Sequence, residues 1–119
     1  MKRRYYGHAA HLIVGESCRF HIATLINDRY LVSTVGDYRA RADDEEPTTI
    51  GSNRLYETFV FDWSGDWCDC GCGLPKPTEW HEIDTAAYND APAAAEGHEA
   101  MCRKYEAKRQ RRAARRAKP

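Results

Sequence analysis

Apolar and polar side chains alternate over residues 19–35, with Phe20, Ile22, Thr24 and Ile26 falling on one face. That period of two predicts a half-buried strand pair. The pair is broken at Asn27-Asp28, two residue types that tolerate the positive φ of tight hairpin turns, and residues 30–35 form the returning strand. Residues 55–63, rich in β-branched and aromatic types, predict another strand, and Leu12-Ile13-Val14 forms a short apolar run within residues 11–14. The expectation is a small antiparallel sheet of three or four strands.

After Trp80 the pattern changes. Asp90 is a good helix N-cap, and Pro92 falls in the first turn, where its missing N–H costs nothing. The spacing of Ala94, His98, Met101, Cys102 and Tyr105 predicts one buried stripe on a helix. A helix of about 25 residues would run for nearly 40 Å, more than a small sheet covers. Beyond Tyr105 its apolar residues are all alanine, so the second half is expected to project or fray. Gly97 is unfavourable inside a helix by up to about 1 kcal/mol, which leaves a later start near His98 open. The fold class is therefore α+β, with one domain over residues 1–105 and a basic arm, helical or disordered, over residues 106–119. Residues 36–53, with almost nothing apolar to bury, predict a mobile loop around Asp43-Asp44-Glu45-Glu46.

The chain has 119 residues and a formal net charge of zero, but the charge is segregated. Residues 1–42 carry 7 basic and 3 acidic side chains, residues 43–99 carry 2 basic and 14 acidic, and residues 100–119 carry 9 basic and 1 acidic. Such asymmetry points to an electrostatic task for at least one block. Neither a secretion signal nor a membrane span is expected, because the N-terminal region has no apolar core and no stretch approaches about 18 apolar residues. A reducing cytoplasm follows as the expected compartment, and there five cysteines, three of them at 68, 70 and 72, favour a metal over disulfides.

A core this small benefits from a cross-link. In Cys70-Gly71-Cys72-Gly73 the glycines let two sulfurs converge, as in a metal knuckle. His98 and Cys102, at i and i+4, share one helical face. Cys70, Cys72, His98 and Cys102 are thus the expected ligands of a closed structural zinc site, with Cys68 as the main substitute. Cys18 and His21, a Cys-x-x-His pair, are further alternates or the seed of a second site; they read equally as a buried cysteine and a strand histidine. An iron–sulfur cluster on four cysteines is a lesser option.

The segments His11-Leu-Ile-Val-Gly, Cys18-Arg-Phe-His21, Asp69-Cys-Gly-Cys-Gly-Leu-Pro75, Tyr88-Asn-Asp90 and Gly97-His98 to Cys102 together resemble small hypothetical proteins of bacteriophage and actinobacterial-type genomes. The resemblance implies a phage-encoded protein in a host cytoplasm and supplies no mechanism.

No nucleotide-binding loop, nucleophile elbow, HExxH helix or zinc-deaminase signature is present, and the sequence favours a non-enzymatic binding protein. An acid/base site from His8, His11 and His21 with Asp62 or Glu57 is compatible with the composition, but nothing in the spacing requires it. Arg103, Lys104, Lys108, Arg109, Arg111, Arg112, Arg115 and Arg116 spread positive charge around the last helical turns, suited to phosphate contacts with RNA or DNA. The alternative is an inhibitor or adaptor that engages a host protein through its acidic body and the anchors Trp63 and Trp67.

Overall fold

The structure, a computed structural model, describes residues 2–6, 18–41, 43–50, 53–68, 73–77 and 79–117. It is α+β: β1 (Lys2–Tyr6), β2 (Cys18–Ile26), β3 (Tyr30–Tyr38), β4 (Tyr56–Asp62) and β5 (Asp84–Tyr88) precede α1 (Ala91–Ala117). The strands form one open antiparallel sheet in sequential order β1-β2-β3-β4-β5. Asn27 and Asp28 turn the β2–β3 hairpin, each at φ 53°, as their side chains permit.

The sheet has five strands, not three or four. Both additions are edge strands of five residues, and each lacks the expected alternation for a physical reason. Lys2 and Arg4, on the helix side of β1, are cations because they pair with Glu106 and Glu99 of α1. β5 carries the small residues Thr85, Ala86 and Ala87, of which Ala86 packs against the cluster under the helix. The apolar run at residues 11–14 lies outside the described residues.

Central strand β3 is buried continuously from Tyr30 to Gly36 because both faces of the sheet are covered. On one face Ile26, Tyr30, Val32 and Val60 pack against Met101, Cys102 and Tyr105 of α1. On the other, Ala23, Leu25, Leu31, Phe61 and Trp63 form a second cluster, flanked by Tyr5 and Phe59. The chain after β4 holds itself together through the Trp67–Pro75 bridge and the Cys68 N–H donated to the Leu74 carbonyl.

The described residues of the 36–53 segment make more fixed contacts than a mobile loop would. β3 continues to Tyr38, which bridges Thr48. Arg39 donates to both the Asp37 carboxylate and the Asp44 carbonyl, and Asp44 accepts the Arg41 N–H. Asp43, Glu45 and Glu46 remain exposed.

Asp90 caps the helix, its Oδ1 accepting the Ala93 N–H at 2.7 Å. The helix begins at Ala91 and passes through Gly97 without interruption. A Cβ at Gly97 would stand 2.1 Å from the Tyr88 ring, so the glycine lets β5 and α1 approach through that aromatic.

Candidate functional site

The predicted stripe of α1 is the one that packs: Ala94, His98, Met101, Cys102 and Tyr105 are all buried. His98 is fully enclosed between helix and sheet. Its Nε2 lies 2.9 Å from the Thr24 hydroxyl and its Nδ1 lies 2.7 Å from the Thr34 hydroxyl, which in turn meets the Thr58 hydroxyl at 2.6 Å. The chain Thr24–His98–Thr34–Thr58 thus links three adjacent strands to the helix. A neutral imidazole donates from one nitrogen and accepts at the other, so two hydroxyls satisfy it completely. Burial, aided by the nearby Arg4 guanidinium, holds the His98 pKa down to about 4. The Cys102 thiol, fully buried one turn on, is pushed up by the same desolvation although it shares a hydrogen bond with Thr24.

The expected metal ligands are therefore brought together only in part. His98 and Cys102 do share one face, but it is the face against the sheet, and both ring nitrogens of His98 are engaged by threonines. Cys70 and Cys72 lie outside the described residues. Cys68 is buried next to Trp67, whose ring packs on Trp63 of the outer cluster, on the side of the sheet away from α1. Cys18 is buried at the start of β2, with its thiol raised to about 11 chiefly by desolvation. His21 is half-buried and, two and four residues before Ala23 and Leu25, falls on the outer face. Among the described residues no group of three or more His, Cys, Asp and Glu side chains is placed to hold a metal ion.

Tyr105 is the last buried residue of α1 among those whose side chains are described. Its ring meets Tyr30 edge-on at 4.8 Å, and its hydroxyl donates to Asp84 Oδ2 at 3.0 Å. Lys104 donates to the same oxygen at 2.7 Å, and this contact is the main reason the Asp84 carboxyl is held below its ordinary pKa. Desolvation, aided by Asp84, lifts the Tyr105 phenol to about 12. Lys104 is thus an anchor of the helix to β5 rather than a free cation. Tyr105→Phe should lower stability by about 1.5 kcal/mol in urea melts, the lower end of the net value of a hydrogen bond to a charged group. An unchanged midpoint would show that the Tyr105–Asp84 hydrogen bond takes no part in fastening the helix.

Beyond Tyr105 the helix continues without a break through residues 106–117, about 18 Å at the usual rise. This is the segment that carries Lys108, Arg109, Arg111, Arg112, Arg115 and Arg116. It leaves the sheet at the end where Tyr30 and the β2–β3 turn lie. Arg103 and Lys108 are exposed, and the Lys108 ammonium sits 5.2 Å from the centre of the Tyr105 ring.

The tryptophans divide. Trp63 is core, with its indole N–H donated to the Asp66 carbonyl at 2.7 Å, so it is not a surface anchor. Trp67 is 41 % exposed. Trp80, outside the pair expected to anchor a partner, is 48 % exposed.

No protein-family model, curated protein or solved structure matches this chain. Among the described residues no helix is long and apolar enough to cross a membrane.

Proposed function

We propose that this is a non-enzymatic nucleic-acid-binding protein whose basic C-terminal arm contacts the phosphate backbone of RNA or DNA. The observation that carries this reading is the unbroken run of α1 past Tyr105, the last buried residue among the described side chains of the helix. A helical arm fixes the spacing of its residues along one axis, whereas a coil could fold back onto the acidic body. The folded body engages other cations internally: Lys104 with Asp84, Arg4 with Glu99 and Arg3 with Asp28. Arginines around the whole circumference suit phosphate contact without base selection, because charge neutralisation and counterion release need no fixed face.

Replacing Arg111, Arg112, Arg115 and Arg116 together by Gln preserves helix propensity and chain length. Against a mixed-sequence oligonucleotide in a gel-shift assay, affinity should fall at least about tenfold near 0.1 M salt. The slope of log K against log salt should become shallower by about 3, as expected for four lost phosphate contacts. Equal affinity and slope in the two proteins would remove the arm from the mechanism.

A further inference from the structure

On the face of the sheet opposite α1, five aromatic rings form a row. Tyr5 meets Trp67 at 6.0 Å, Trp67 meets Trp63 at 5.3 Å, and beyond Trp63 its cluster neighbour Phe61 meets Trp80 at 6.2 Å. The tryptophan rings at positions 67 and 80, together with Ile83, leave more than two-fifths of their surface in solvent. Between Trp63 and Ile83 runs a groove of about 340 Å³ whose walls include Asp62 and Glu79, with Arg29, Ser64 and His81. Exposed Glu82 adjoins it in sequence, and Arg29 already pairs with Asp62 at 3.8 Å. An apolar patch with this acidic border suits a partner that is basic and offers small apolar residues.

We propose that this outer face docks the C-terminal helical arm of a second copy of the chain. The charge is complementary within one sequence: residues 43–99, which supply the border, carry 14 acidic and 2 basic side chains, and residues 100–119 carry 9 basic and 1 acidic. The arm's own body cannot be the acceptor. α1 packs on the other face and continues as one helix through Ala117, so the arm is directed away from the aromatic row of the same molecule by the helix it extends.

The arm also has suitable residue types, arginine interspersed with Ala107, Ala113, Ala114 and Ala117. Alanine allows close approach, and guanidinium groups favour indole faces. Trp67 already has one such contact, with the Arg3 guanidinium 5.8 Å from its ring centre. Donor and acceptor surfaces differ, so the contact is head-to-tail and adds copies in series rather than closing a symmetric pair. It is independent of nucleic-acid binding, although both use the arm and would compete for it.

Sedimentation velocity on nuclease-treated full-length protein tests the proposal. At about 50 mM salt the weight-average mass should rise with concentration across the micromolar range, and at about 500 mM, where charges are screened within a few ångströms, it should return to that of one chain. Two full-length variants should each reduce the association constant at least about tenfold at low salt: the four-site Arg→Gln arm, and Trp80→Ala combined with Glu79→Lys. Mixing those two variants should not restore the high masses of the unmodified protein, since each contact needs an intact arm and an intact face and the mixture forms at most one such contact per pair. Circular dichroism of the outer-face variant should match that of the unmodified protein, since both substituted side chains are exposed. A single-chain mass at every concentration in low salt would overturn the proposal. So would association that either variant leaves unchanged.

Discussion

Between about pH 6.5 and pH 4 the folded protein should lose about 3 kcal/mol of stability through His98 alone. In the unfolded chain this imidazole takes up a proton near its ordinary value of 6.5, whereas in the fold burial between helix and sheet delays protonation to about 4. Above the upper value both states are neutral and the contribution to stability is complete. As pH falls through the interval the unfolded chain binds a proton that the fold refuses, so stability declines, and below about 4 the decline from this group ends. Protonation would also turn both ring nitrogens into donors, which forces Thr24 and Thr34 to accept together and rearranges the chain through Thr58.

Two carboxyls modify the acid end of this profile. Asp84, held low by Lys104, removes further stability as it is protonated, whereas burial raises the Glu57 carboxyl and acts in the opposite direction. Urea melts of the unmodified protein and of His98→Gln across this range separate the terms. The variant should be less stable near neutrality but should show little slope between about pH 6.5 and 5, where the carboxyls contribute least. Equal stability of the unmodified protein at the two ends of that narrower range would show that the imidazole does not stay neutral in the fold.

The same histidine shows what could be read from the chain and what could not. The stripe Ala94, His98, Met101, Cys102 and Tyr105 was legible because helical spacing alone defines a face. Its use was not. A His and a Cys one turn apart fit a metal and a packing seam equally well, and the deciding partners, Thr24 and Thr34, stand 74 and 64 residues away, with Thr58 beyond Thr34, on strands whose register a local pattern does not set. Cys70 and Cys72, the other half of the expected quartet, lie outside the described residues. The central strands were legible from their alternation. The edges were not, since β1 answers to glutamates on α1 rather than to a core. Of the tryptophans, composition marked all three as large and apolar. Only the fold distinguishes Trp63, sealed under its neighbours, from the open rings of Trp67 and Trp80.

Gly97 was the awkward residue in the helical reading, and its substitution should give the other large effect, with a sign that depends on a partner. In an exposed helix, Gly→Ala gains up to about 1 kcal/mol. Here the added methyl would meet the Tyr88 ring at 2.1–2.3 Å, inside any real contact distance. Either the ring must leave its place between β5 and α1 or the helix must lift off the sheet. Gly97→Val, which adds two methyl groups beyond that Cβ, should cost about 2–3 kcal/mol, in the range of overpacked sites. Gly97→Ala should cost less because propensity offsets part of the clash. In a Tyr88→Ala background the obstacle is gone, and Gly97→Ala should become stabilising by up to about 1 kcal/mol. A double-mutant cycle read by urea melts measures this reversal. If Gly97→Ala stabilises the protein with Tyr88 present, the glycine does not serve the close approach, and the helix is held to the sheet by the His98 and Tyr105 contacts without it.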